Sequence, residues 1–218
     1  MPDLKELIDV FLHVDEHLKE LVANYQAGTY GILFAIIFAE TGLVVTPFLP
    51  GDSLLFAAGA IAATGALDVS LLIVFLSVAA ILGDAVNYTV GATLGRRISP
   101  DSRLVKKEYL DRTRAFYDRH GPKTIVLARF VPIVRTFAPF LAGIGHMSYR
   151  QFALYNVTGA LLWIVSMTLS GYLFGNLPVV EKYFELVVIG VIAVSLLPLF
   201  IEWLRSRKRR NQPVADSR

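Results

Sequence analysis

Four ionisable residues stand in parts of this chain where apolar neighbours leave them little water. Glu40 lies in the run Gly28–Thr46, and Asp52 follows the breaks at Pro47, Pro50 and Gly51. Arg129 and Arg135 belong to RFVPIVRTFAPFLAG, Arg129 to Gly143, which also carries Pro132 and Pro139. An arginine at mid-bilayer depth costs about 2.5–3.5 kcal/mol on the insertion scale, so such a group calls for a partner and a task. Left unpaired, the four would together cost on the order of 10 kcal/mol, which pairing acid with base would largely offset. Desolvation favours a neutral carboxyl and a nearby guanidinium favours a charged one, a balance that makes Glu40 and Asp52 candidates for proton coupling near neutral pH. Arginine does not titrate, and its planar fork matches a phosphate, which makes Arg129 and Arg135 candidates to bind an anionic headgroup. Competing readings are a simple helix cap at Asp52 and a snorkelling side chain at Arg129.

A second set is polar but less sharply placed. GDAVNYTVGATLG, residues 83–95, puts Asp84 and Tyr88 four apart on one helix face, where they either bond each other or line a cavity. Asn156, in a later apolar run, is a further cavity-lining candidate. Gly91 and Gly95, also four apart, offer a small face for close helix packing. The sequons at Asn87 and Asn156 fall inside expected spans and are discounted. His13 to His17 formally matches the inverted zinc-protease pattern H-x-x-E-H, but no further ligand follows, so these histidines are read as solvated or structural. No metal and no cofactor is expected.

The elements that must position these residues follow from composition. Of 218 residues 55% are hydrophobic and only 18% charged, against about 25% in an ordinary soluble domain. Mean hydropathy is +0.55, and the apolar residues come in long runs. This is an all-α polytopic membrane protein, with spans expected over 28–46, 69–95, 151–175 and 184–204. The apolar run at 54–63, at about 1.5 Å per residue, cannot cross about 30 Å of hydrocarbon, and reads as a re-entrant helix. The prolines of the arginine stretch interrupt helical hydrogen bonding and Gly143 permits a turn, so that stretch also dips in and returns.

Basic residues concentrate in 96–123 and in RSRKRR near the C-terminus, which marks both as cytoplasmic. RSRKRR follows a span directly, so it is an anchor rather than a nuclear-localisation signal, and no nucleic-acid partner is expected. The chain then divides into an amphipathic interfacial helix (1–27), a membrane transport domain (28–204) and a basic tail (205–218). Within the domain lie re-entrant segments at about 47–63 and 124–145 and a basic surface helix at 96–123. This topology places both termini in the cytoplasm and brings the two broken segments in from opposite faces. Phe48-Leu49-Pro50 with Ala58-Gly59, and Phe130-Val131-Pro132 with Ala142-Gly143, hint at an inverted repeat. An acidic N-terminus without a basic n-region argues against a cleaved signal peptide, and the absence of cysteine excludes thiol chemistry.

FAETGLVVTPFLPGDSLLFAAG (38–59), GDAVNYTVGATLG (83–95) and HGPKTIVLARFVPIVRTFAPFLAGIGHMSYRQFALYNVTGALLW (120–163) resemble the DedA family of bacterial inner-membrane proteins, relatives of eukaryotic endoplasmic-reticulum lipid scramblases. The resemblance implies two re-entrant helices facing each other and proton-motive-force-dependent transport. In several members the cargo is undecaprenyl phosphate, the lipid carrier of cell-wall synthesis. The family's essential acids fall on Glu40 and Asp52 and its essential arginines on Arg129 and Arg135. The expected partners are therefore undecaprenyl phosphate or a related anionic lipid, protons and membrane lipids, with homo-oligomerisation left open. A proton-coupled antiporter of small cations or drugs is the alternative, though buried arginines would repel its cargo. A lipid phosphatase lacks the paired histidines such chemistry wants, and a purely structural protein leaves the charges at the breaks without a reason.

Overall fold

The computed structural model describes residues 14–43, 51–97, 121–145 and 147–178, with positions 180 and 190. Seven helices occur among these residues, and no strand occurs among them. They are α1 (Val14–Tyr25), α2 (Gly28–Gly42), α3 (Gly51–Ala63), α4 (Val69–Arg97), α5 (Lys123–Ala128), α6 (Pro132–Ile144) and α7 (Tyr149–Phe174). The expected last span apart from position 190, residues 98–120 of the expected basic segment 96–123, the tail and the breaks at Pro47 and Pro50 lie outside the described residues.

Two helices are long and apolar enough to cross a membrane, Val69–Leu94 within α4 and Tyr149–Phe174. With 26 residues each they extend about 39 Å, ample for a hydrocarbon core of about 30 Å. The remaining apolar helices are shorter. The helix expected to reach Thr46 ends at Gly42, where Leu43 turns extended.

α4 is the spine, packing against α2, α6 and α7, while α3 packs on α7. α1 lies against α3 and α2, and Leu18 is buried in the same core as Leu33, Ile37, Leu55, Leu72 and Trp163. The polar side of that helix carries the exposed His17. A second, smaller core joins Tyr88, Ile125, Ala128, Ala138, Ala142 and Phe152. Asp68 caps the start of α4, its Oδ1 accepting from the Leu71 N–H at 2.8 Å.

Close crossings need glycine. A Cβ at Gly91 would run into the backbone of Phe140, and one at Gly143 into Tyr88 and Ala92. Gly91 thus serves the small packing face read from the sequence. Gly143, by contrast, does not turn the chain: α6 continues to Ile144, and the missing side chain lets α6 lie on α4. Pro132 occupies the first turn of α6, where its lost N–H is harmless, and Pro139 sits inside the helix without ending it.

Because the obstacle at Gly91 is backbone and not a movable side chain, Gly91→Leu is expected to cost about 1–3 kcal/mol. Its melting temperature in detergent should fall, while Val90→Leu, on the exposed neighbouring face, leaves it unchanged. Equal melting of the two variants would contradict the crossing.

Candidate functional site

The charges meet in one buried cluster fed by five elements. α2 brings Glu40 near its C-terminal end, α3 brings Asp52 in its first turn, and α4 brings Asp84. The turn between α5 and α6 supplies Arg129, and α6 supplies Arg135 one turn inside its start. Relative exposure is 1% for Glu40, 9% for Asp52, 3% for Asp84, 3% for Arg129 and 6% for Arg135. Asp84 sits ten residues before Leu94, so it lies about 15 Å inside the nearer end of that apolar helix.

Arg135 is held by two acids from two different helices. Its Nη2 donates to Glu40 and its Nη1 to Asp52 Oδ1 at 2.8 Å. The guanidinium also lies over the ring of Trp163, 4.8 Å from its centroid, and the indole Nε1–H donates to the same Asp52 oxygen at 2.7 Å. The sequence reading of Asp52 as a mere cap gives way here: α3 begins at Gly51, so Asp52 is already inside the first turn and its carboxylate bonds across the bundle. Its charge also suits the positive end of that helix. Gly51 is required for the approach of Glu40, since any Cβ there would collide with the Glu40 carboxylate.

Arg129 makes a separate set of bonds. Its Nη2 donates to Asp84 and to Asn156 Oδ1, and Asn156 in turn donates from Nδ2 to the Ile81 carbonyl at 3.1 Å. A snorkelling Arg129 is thereby corrected: the side chain is buried and ion-paired. Gly159 makes room for it, as a Cβ there would lie 3.0 Å from the Arg129 Cδ. The same guanidinium is 6.0 Å from the centroid of Trp163, so one indole ring lies beside both arginines.

All four principal residues come together, joined by Asp84 as the ion-pair partner of Arg129 and by Asn156 as its hydrogen-bond acceptor. Tyr88 is engaged elsewhere. Its hydroxyl donates to the Met147 carbonyl, and its ring stacks on Phe152 at 4.3 Å, which spends the proton that a bond to Asp84 would have used. Trp163 was not singled out by sequence reasoning, although its place gave a signal. Membrane tryptophans gather at the interfaces, whereas Trp163 is near the middle of α7 and fully buried. Asn87, set aside as a sequon, is also buried in the site's surroundings.

Apolar helices of spanning length around a buried lattice of carboxylates and guanidinium groups define a helical membrane protein with an internal ion-pair site. The chain belongs to the DedA family: residues 49–173 match the VTT domain, and the chain is 57% identical over 206 residues to protein DedA of Escherichia coli K12, covering 93% of this chain and 94% of that protein. It is 41% identical over 191 residues to an uncharacterised membrane protein of Mycobacterium tuberculosis H37Rv, covering 85% and 83% of the two chains. It is also 37% identical over 156 residues to the inner membrane protein YqjA of E. coli K12, covering 71% of each. None of these names is that of an enzyme, and the membrane location that the mycobacterial and YqjA names state agrees with the apolar helices here. No solved structure matches significantly.

Trp163→Phe keeps a ring beside both arginines but removes one donor to the buried Asp52 carboxylate. The expected cost is about 1–3 kcal/mol, read as a lower melting temperature in detergent. Tyr172→Phe on the exposed side of α7 is the control, and equal melting of both variants would contradict the bond.

Proposed function

We propose that this protein is a proton-coupled transporter, or flippase, of a polyprenyl phosphate, undecaprenyl phosphate in a bacterial cytoplasmic membrane. The observation that carries the reading is Arg135, buried and held between Glu40 and Asp52. In this reading 47–63 and 124–145 are re-entrant hairpins entering from opposite faces, related as an inverted repeat, with both termini cytoplasmic. In support, α3 at 13 residues is too short to span, and the α5–α6 break falls at Arg129 to Val131 beside the cluster.

The chemistry is a competition for guanidinium. Internal carboxylates occupy the arginines, so a phosphate can take their place only if a carboxylate gives way. Protonation of Glu40 or Asp52 removes its charge and its claim on Arg135, and the planar fork then receives two phosphate oxygens. Deprotonation restores the internal pair and expels the headgroup. Proton and anion therefore enter and leave together, and a proton gradient drives the lipid. Each arginine also keeps a buried Nε–H without a partner among the described residues, capacity for a further acceptor.

One observation favours the antiporter alternative. Glu40, Asp52 and Asp84 outnumber Arg129 and Arg135, so the cluster drawn fully ionised carries one excess negative charge, which a cation would balance as well as a proton would.

Reconstitution into liposomes with labelled undecaprenyl phosphate decides between them. Wild type is expected to move the lipid faster under a pH gradient, and Glu40→Gln to lose that dependence. Arg135→Lys keeps the charge but loses one of two parallel bonds, worth about 1.5–3 kcal/mol, so headgroup affinity should fall about tenfold or more. Monovalent cation uptake with no lipid movement would transfer the function to an antiporter, and full transport by Arg135→Lys would remove the phosphate fork.

A further inference from the structure

Asn87 is fully buried in α4, one turn beyond Asp84 on the same face. Its Nδ2 donates twice, to the Thr136 carbonyl at 2.8 Å and to the Thr41 carbonyl at 3.2 Å. Thr41 is the residue after Glu40, and Thr136 is the residue after Arg135. One side-chain amide thus ties together the two backbones that carry the partners of an ion pair.

Both carbonyls lie where a helix is weakened. Thr41 is in the last turn of α2, whose carbonyls have no helical N–H to accept from once the chain turns extended at Leu43. Thr136 is next to the turn loosened by Pro139, which removes the N–H that the Arg135 carbonyl would take within α6. Asn87 Oδ1 itself is buried without a partner among the described residues, a cost that general polar packing would not require. Just before Asn87 on the spine, a Cβ at Gly83 would run into Thr41, so α2 is already pressed against α4 there.

We infer that Asn87 is a positioning residue for the Glu40–Arg135 pair: its amide fixes the separation of the end of α2 and the start of α6, and so holds the carboxylate and the guanidinium in register. Its amide donates to the two backbones and to neither charged group. Arg129 is positioned differently, by Asp84 and Asn156, and does not depend on Asn87. α4 therefore serves the two arginines through different side chains. Any effect on transport rests on the function proposed above, but the positioning itself does not.

The test is a double-mutant cycle read by thermal melting of the full-length protein in detergent, which needs no cargo. Asn87→Leu keeps the number of side-chain heavy atoms and removes both donated bonds. Arg135→Gln should lower the melting temperature in the wild-type background, and in the Asn87→Leu background that shift should shrink to less than half. Arg129→Gln should shift melting equally in both backgrounds. Asn87→Ser, which intrudes less on its surroundings, repeats the cycle should Asn87→Leu not fold. An unchanged Arg135→Gln shift, or an equal loss of the Arg129→Gln shift, would overturn the assignment and leave Asn87 a packing residue of α4.

Discussion

A guanidinium buried among apolar helices is tolerated only where its charge is answered, and Arg135 is answered twice. Glu40 and Asp52 approach it from two consecutive helices, α2 and α3, and Trp163 covers it while bonding the same Asp52. Such an arrangement costs desolvation for every member, and replacing it with apolar residues would often be neutral or stabilising. Its presence is therefore poorly explained by stability, and the transport role proposed above would give it a reason.

The fold serves that requirement by bringing helix ends inward. Asp52 stands in the first turn of α3, Glu40 near the last turn of α2, and Arg129 in the break before α6. Helix ends leave backbone groups open and carry partial charges, so buried ends are useful where side-chain charges must be steered. The long helices α4 and α7 contribute differently, from their middles, with Asp84, Asn87, Asn156 and Trp163 projecting toward the cluster. Glycines at 51, 91, 143 and 159 bring backbone and side chain close enough for these contacts. The site is thus built of continuous helices as much as of helix ends.

Much of this was legible in the sequence, because a charge in an apolar run has few explanations. Glu40, Asp52, Arg129 and Arg135 stand out on that ground alone, and the long helices α4 and α7 follow from run length. That acids would answer arginines was legible too, but which partner each takes was not: Arg135 holds both Glu40 and Asp52, and Arg129 turns to Asp84. Asp84 and Tyr88 invite pairing by their spacing of four, but Asp84 finds Arg129 45 residues away and Tyr88 finds Met147. Local spacing speaks only of one helix face, while pairing across a bundle depends on how helices cross. Asn87 and Trp163 were obscured for a related reason: an asparagine or a tryptophan in a span has many uses, and only its neighbours tell which one applies.

The central claim is that Arg135 is balanced by Glu40 and Asp52 inside the bundle, and thermal melting of neutralised variants in detergent tests it most directly. Arg135→Gln alone leaves two carboxylates without their guanidinium and should melt well below wild type. The triple variant Glu40→Gln, Asp52→Asn, Arg135→Gln leaves no unanswered charge among the three and should melt above Arg135→Gln. A triple variant that melts lowest of all, as the sum of three independent losses, would contradict the account.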